Sequence, residues 1–189
     1  MNQISDTELQ AIVKNVVSRT MGSPETENTK TPCTGSGKKA IAIGSDHGGF
    51  EMKEALKNDL TAAGHEVIDC GTFSREACDY PDFALAVAQQ VSDGFVCRGI
   101  VIDGAGIGSC MVANKVPGVR AALCYDYSSA VNSREHNNAN VLTLGAGQIG
   151  INLAKQIVQV WLATDFSGGR HAKRVDKINL VENRYLKRR

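Results

Sequence analysis

From Lys39 onward, short apolar runs alternate with longer stretches in which apolar positions recur every three or four residues. The runs at 40–44 (AIAIG), 66–69 (EVID), 99–103 (GIVID), 120–124 (RAALC) and 140–144 (NVLTL) read as strands, because continuous runs this short suit a strand buried on both faces. Between them the spacing predicts amphipathic helices at 49–63, 81–93, 107–114, 127–135 and 148–163, and a charged helix after Gly169. Strand and helix in repetition imply an α/β domain, a Rossmann-like three-layer sandwich with a five-stranded parallel sheet between two helical layers. Ligands of such sheets bind beyond the carboxyl ends of the strands.

A different pattern precedes the body. Residues 23–38 (SPETENTKTPCTGSGK) contain almost nothing that can be buried and read as a flexible linker. Ahead of them, Leu9, Ile12, Val13, Val16 and Val17 fall at helical spacing, and Ser5 with Glu8 forms a capping-box pattern. A lone helix of this length is marginal in water and needs a surface to cover. The chain therefore divides into an amphipathic helix at 1–22, a linker at 23–38 and a body at 39–189.

The 189 residues carry a net charge of +1, which gives no reason to expect nucleic acid or an anionic membrane as partner. No run is long and apolar enough to span a bilayer and the first residues do not resemble a secretory signal, so the expected place is the cytoplasm. Cys33, Cys70, Cys78, Cys97, Cys110 and Cys124 are scattered, without the paired spacing of a zinc site, and read as mostly reduced thiols.

Chemistry concentrates at the strand ends. The third run ends in Asp103 and then in alternating glycines, Gly104, Gly106 and Gly108, which leave a ligand free to touch backbone. Asp103 is a candidate catalytic group, and equally a cap for the following helix; the local pattern leaves both open. After the first strand comes Ser45-Asp46-His47-Gly48-Gly49, and Asp79-Tyr80-Pro81 follows the second. The helix that opens at Tyr125-Asp126 ends at Arg134-Glu135-His136-Asn137-Asn138, and Gly168-Gly169-Arg170-His171-Ala172-Lys173-Arg174 stands near the end of the chain. Each has a plain structural explanation: Asp46 and Asp126 as caps, His136 as a helix-end imidazole, Arg170 and Arg174 as a solvated face. Their expected gathering around one sheet edge points instead to a site.

SDHGG at 45–49, DYPDFA at 79–84, GAGIG at 104–108, ANKVPGVRAALC at 113–124, REHNNANVLTLGA at 134–146 and GGRHAKRVDKI at 168–178 together resemble the superfamily of type B ribose-5-phosphate isomerases and galactose-6-phosphate isomerase subunits. The resemblance is collinear over nearly all of 39–183 and stops short of residues 1–38. It implies an aldose–ketose isomerase of a sugar phosphate, acting through an enediolate without metal or organic cofactor, as a homodimer or tetramer whose sites lie between subunits. By resemblance, His136 opens the sugar ring with Asp46 nearby, Asn137 holds a hydroxyl, and His47, Arg170 and Arg174 grip the phosphate, with Tyr80 and Asn114 as further binding residues. These roles suit the residues: an imidazole passes protons near neutral pH, and guanidiniums offer forked donors to phosphate. The amides of Gly104, Gly106 and Gly108, opening a helix, are placed to stabilise an enediolate.

Three departures bear on the mechanism. Much of the family has a cysteine base at the position of Asp103, a ring-opening threonine at Ala105 and a phosphate-binding arginine at Gly147. A carboxylate is ionised at neutral pH but is a weak base, so Asp103 as base requires burial against Ile102 and Ile107 to strengthen it. Cys110 is the alternative base, ranked lower because its place inside a helix suggests a packed thiol. The substrate expectation is ribose 5-phosphate going to ribulose 5-phosphate, with a hexose 6-phosphate as the other sugar. The competing function is a phosphosugar-binding or structural homologue without turnover. The N-terminal helix on its linker resembles the encapsulation peptides that carry cargo into bacterial microcompartments, which adds shell proteins as partners and a compartment lumen as place. A helix docked on the body, or a disordered segment, is the plain alternative.

Overall fold

The computed structural model describes residues 40–186; the helix expected within 1–22 and the linker at 23–38 lie outside the described residues. Among the described residues the strands are β1 (Ile41–Ser45), β2 (Val67–Asp69), β3 (Arg98–Asp103), β4 (Ala121–Leu123) and β5 (Val141–Gly145). The helices are α1 (Phe50–Ala62), α2 (Tyr80–Ser92), α3 (Ile107–Ala113), α4 (Tyr127–Glu135), α5 (Ile151–Ala163) and α6 (Arg170–Leu186). Each strand starts within a residue of its apolar run. The fifth helix begins three residues later than its periodicity suggests, because residues 146–150 first form a turn, with the amides of Gln148 and Ile149 donating to the carbonyl of Gly145 (2.9 and 3.1 Å).

The strands pair in the order β2-β1-β3-β5-β4, every pair parallel, with Ile41 opposite Val67 and Arg98, and Val141 opposite Gly99 and Ala121. Alternate residues of each strand feed opposite layers, which is why the runs are apolar throughout. Ile41, Ile43, Ile100, Ile102, Leu142 and Leu144 meet Leu56 and Leu60 of α1, Ala130 of α4, and Ile157 and Trp161 of α5. Ala42, Val101 and Val141 meet Ala84, Val87 and Val91 of α2 and Ala113 of α3. Burying the larger of these side chains contributes about 1.5–3 kcal/mol each, so the two apolar layers hold the strand ends rigid.

The chain passes from β1 to β2 on one side, then crosses through α2 to β3 on the other. β1 and β3 are therefore neighbours from which the connections diverge, and a crevice opens between their carboxyl ends. Asp46 and Asp103 stand at its two lips.

Candidate active site

The crevice is built from the turns after β1 and β3. The amide of Asp46 donates to the carbonyl of Ile102 (3.2 Å), tying the first turn to the end of β3. Gly49 lets the turn press closer: a Cβ there would lie 2.5 Å from the same carbonyl oxygen. Asp46 is buried, and its Oδ1 accepts from the amide of Gly49 (3.0 Å). His47 is exposed, with Nδ1 3.2 Å from the carbonyl oxygen and 3.2 Å from the amide nitrogen of Cys78. Tyr80, at the start of α2, lays its ring over the loop after β3, 2.5 Å from where a Cβ on Gly108 would stand. A second strut holds the β1 turn from below. Lys53, wholly buried, pairs with both oxygens of Asp69 (2.8 and 2.7 Å), Asp69 accepts from the amide of Gly71 (3.0 Å), and Gly71 and Thr72 exchange hydrogen bonds with Ser45.

Asp103 does not face an apolar wall. Only 4% exposed, its carboxylate accepts on Oδ1 from the amides of Ala105 (2.8 Å) and Gly106, and on Oδ2 from the amide and hydroxyl of Ser109 (3.0 and 2.5 Å). Gly106 makes this wrap possible with φ of 76°, in the left-handed region, and with no room for a Cβ beside Leu123. Ile107, expected to bury the carboxylate, is itself half exposed. The geometry is that of an anion enclosed by its own loop, which favours the capping reading of Asp103 over the base reading. It also uses the amide of Gly106, expected for the enediolate. The amides of Gly104 and Gly108 donate to no acceptor among the described residues and stay available.

Cys110 is no readier as a base. Its Sγ donates to the carbonyl of Ala121 (3.5 Å), and burial pushes the thiol up, further from ionisation. The expected binding residue Asn114 is spent on the fold: its Nδ2 donates to the carbonyls of Cys110 and Ala121 (3.0 and 2.9 Å) and its Oδ1 accepts from the amide of Ala121 (2.9 Å). Both hydrogen-bonding ends of its amide hold β4 to α3. Gly147, one of the three departures from the family pattern, donates its amide to the carbonyl of Gly104 (2.9 Å), so the chain lies flat on the glycine loop there.

The remaining candidates are elsewhere. Because every strand is parallel, α4 runs back along the sheet and delivers His136 and Asn137 to its amino-terminal edge. There Asn140 and Val141 donate to the carbonyl of Arg120, the residue before β4, and the Nε of Arg120 donates to the carbonyl of Asn138 (3.0 Å). The amide of Ser167 donates to the carbonyl of Glu135 (3.0 Å), which brings the start of α6 to the same place. The rings of His136 and His171 stack in parallel, centroids 4.1 Å apart, and Arg170 donates through Nε to Nε2 of His171 (3.3 Å). Arg174 follows one turn along α6. The expectation of one shared sheet edge is thus corrected: strands of five residues at about 3.3 Å per residue put roughly 16 Å between the two groups.

The second group is held as firmly as the first. Nδ1 of His136 lies 2.8 Å from Nδ2 of Asn132, and Asn137 donates to the side chain and carbonyl of Asn132 (3.3 Å each). Arg134, buried against Trp161, donates to Oδ1 of Asn138 (3.0 Å) and to the carbonyl of Ala139 (2.5 Å), closing the turn in which Asn138 has φ of 49°. Burial, then the neighbouring His136 ring and the guanidiniums of Arg170 and Arg174, holds the His171 imidazole below its ordinary pKa. A cluster this rich in guanidinium and imidazole suits a doubly charged phosphate.

A family model described as ribose/galactose isomerase matches residues 41–178. The chain belongs to the ribose/galactose isomerase family. Within the family it is 47% identical over 146 residues to ribose-5-phosphate isomerase B of Escherichia coli K12, covering 77% of this chain and 98% of that one. A ribose-5-phosphate isomerase B structure from Clostridium thermocellum superimposes with a TM-score of 0.76 at 52% identity, covering 77% of this chain and 99% of the other. The ribose-5-phosphate isomerase B of Mycoplasma genitalium with bound ribulose-5-phosphate gives 0.74 at 41% identity, covering 76% and 96%. The fold is the α/β Rossmann-like fold of this isomerase family.

Reading the residues alone passed over three contributors. Ser109 closes the enclosure of Asp103, and its signal was its place three residues into α3, where a hydroxyl and amide both face a capping carboxylate. Tyr125 donates through its hydroxyl to the carbonyl of Ala105 (2.9 Å), with no local signal. His171 lies inside the GGRHAKR motif, but its stacking partner is far away in sequence.

Proposed function

We propose that the protein interconverts an aldose phosphate and its ketose through an enediolate, with ribose 5-phosphate and ribulose 5-phosphate as the first pair to test, and that each site is shared between two copies of the chain. The observation that carries this is the division of the site: crevice groups Asp46, His47, Tyr80 and the Gly104 and Gly108 amides at one edge, ring-opening and phosphate groups His136, Asn137, Arg170 and Arg174 at the other. One protomer leaves these about 16 Å apart, further than a pentose phosphate reaches, and a second copy turned about a twofold axis lays one copy's phosphate cluster against the other's crevice. Two exposed apolar surfaces support a partner copy. The helix α6 shows Ile178, Val181 and Tyr185 along one side, and Ile107 and Met111 on α3 rim a hollow of about 560 Å³. In the joined site the guanidiniums of Arg170 and Arg174 hold the phosphate, His136 moves the ring-oxygen proton, and a crevice carboxylate moves the carbon-bound one.

The test is complementation. Asp46→Asn and His136→Ala chains, each inactive alone, are unfolded and refolded together; random pairing restores about a quarter of the wild-type isomerase rate, because half the dimers carry one intact site of two. No recovery beyond the sum of the single variants refutes shared sites. No turnover by the wild type with any pentose or hexose phosphate refutes the isomerase. The enclosure of Asp103, in a family position that elsewhere holds the base, favours a second reading under that outcome: a phosphosugar-binding homologue.

We further propose that residues 1–22 bind shell proteins and so carry this enzyme into the lumen of a bacterial microcompartment. The amphipathic spacing of Leu9, Ile12, Val13, Val16 and Val17 and the polar linker support that reading. Deletion of residues 1–22 is expected to abolish co-purification with shell proteins while leaving turnover intact; retained co-purification refutes it.

A further inference from the structure

We infer that the carbon-bound proton is taken by Asp46, through its Oδ2, with Asp103 serving to hold the glycine loop; the inference rests on the isomerase reading above. A general base needs a lone pair that is free and within reach of the reacting carbon. Around the crevice, beside the His47 imidazole expected to bind phosphate, stand two carboxylates and a thiol. Both oxygens of Asp103 are filled, each by two donors from its own loop. The Cys110 thiol is turned toward the carbonyl of Ala121, under β4. Asp46 spends Oδ1 on the amide of Gly49, while Oδ2 accepts no hydrogen bond among the described residues.

Its surroundings fit the task. The backbone of Asp46 is anchored on Ile102, so its side chain starts from the lip of the crevice beside the loop that Asp103 organises. The Cβ position of Gly48 is 3.3 Å from Asp46 Oδ1 and 3.8 Å from the amide nitrogen of Gly104. Base and oxyanion donor are therefore neighbours, as an enediolate requires: the proton leaves carbon while negative charge grows on the adjacent oxygen. The lack of side chains at Gly48 and Gly104 leaves that space to a ligand.

The step balances without any further reagent. From the ketose, Oδ2 of Asp46 takes a proton from C1; the C–H electron pair becomes the C1–C2 double bond, and the carbonyl pair moves onto O2 beside the Gly104 amide. The carboxylic acid then returns the proton to C2, and the proton on O1 passes to O2 as the C1 aldehyde forms.

A 2-ketopentose 5-phosphate is the deciding substrate, because its C5 oxygen is esterified and it has no ring to open. Exchange of its C1 proton in deuterated water reads carbon deprotonation alone. Asp46→Asn keeps the acceptor for Gly49 and is expected to slow exchange about 10²- to 10⁴-fold, the range for loss of a general base, with inorganic phosphate binding retained. Asp103→Asn, which disturbs the loop, is expected to exchange at least about tenfold faster than Asp46→Asn. Asp46→Glu restores part of the rate. The assignment is overturned if Asp46→Asn exchanges within a few-fold of wild type, as it would if Asp46 acted only in ring opening, or if Asp103→Asn is the slower variant at equal phosphate affinity. Absence of exchange in the wild type overturns the isomerase reading itself and this assignment with it.

Discussion

Replacing Asp103 separates a structural carboxylate from a basic one, and its cost follows from the four bonds it accepts. Hydrogen bonds to a charged group are worth about 1.5–3 kcal/mol each, but the four are not additive. Ala105 and the loop around it lie near solvent, so water can replace part of what Oδ1 provides, whereas Ser109 is wholly buried and its amide and hydroxyl have no substitute. Counting chiefly the Ser109 pair, Asp103→Ala is expected to cost about 3–5 kcal/mol. Asp103→Asn, which still accepts from Ala105 and Gly106 but turns an NH₂ toward the Ser109 amide, is expected to cost about 2 kcal/mol. Urea unfolding at one fixed protein concentration measures both, with an unchanged slope marking a pure stability effect. In a body of this size the Ala change corresponds to a fall in Tm of roughly 6–20 °C. A double-mutant cycle with Ser109→Ala should give a coupling of at least about 0.5 kcal/mol. A loss below about 1 kcal/mol for Asp103→Ala, or no coupling to Ser109, would mean the carboxylate is not enclosed and stands ready for substrate after all.

Four further outcomes are expected. Lys53→Met leaves Lys57 as the one remaining ion-pair partner of Asp69 among the described residues and slackens the strut under Ser45, costing about 3 kcal/mol in the same urea assay, as breaking a buried ion pair does. Asn138→Val forces a branched side chain into φ of 49° and also removes an Arg134 partner, so it lowers the melting temperature, while Asn138→Gly lowers it much less. In a histidine NMR titration, His171 charges at lower pH than a free imidazole, and its folded-state pKa lies below its unfolded one. Its contribution to stability is therefore complete above the unfolded value and is lost as pH falls through the folded one; His171→Phe should flatten that acid-side decline. Burial holds Cys70 up at about 12 and raises Cys124, so neither thiol should react with a disulfide reagent at pH 8 until the protein unfolds, as mass spectrometry of the labelled chain can show.

The fold was legible because the runs and the periods carry it. AIAIG, GIVID and NVLTL have no polar face to offer solvent, so they demand a sheet covered on both sides, and the intervening helices then fix parallel pairing. The late start of α5 was not legible, since the apolar period at 148–150 continues into a turn that only the Gly145 carbonyl defines. At the site, residue types were readable and their partners were not. Asp103 followed by glycines fits a base and a cap equally well in sequence; the difference is made by Ser109 and Gly106 folding back onto it, a three-dimensional fact. Asn114 looks like a binding group until β4 arrives beside it and consumes its amide.

The division of the site was the least legible property, and the reason is geometric. In a βαβ unit the residue after a strand and the residue ending the next helix are separated by the full length of the sheet, although both precede or follow a strand and both read as loop-borne chemistry. His136 and Arg170 were grouped with Asp46 because all are polar groups at element ends, a criterion that does not distinguish one edge from the other. Parallel pairing does distinguish them: His136 ends a helix that precedes β5, so it must stand at the amino-terminal edge, whereas Asp46 follows β1 and must stand at the carboxyl edge. On the proposed roles, the phosphate cluster and the deprotonating crevice lie at opposite edges of one chain, and their joint use requires a second. Mixed dimers built from two crippled chains are therefore the sharpest probe of this protein, since a site complete within one protomer gives them no activity that the parents lack.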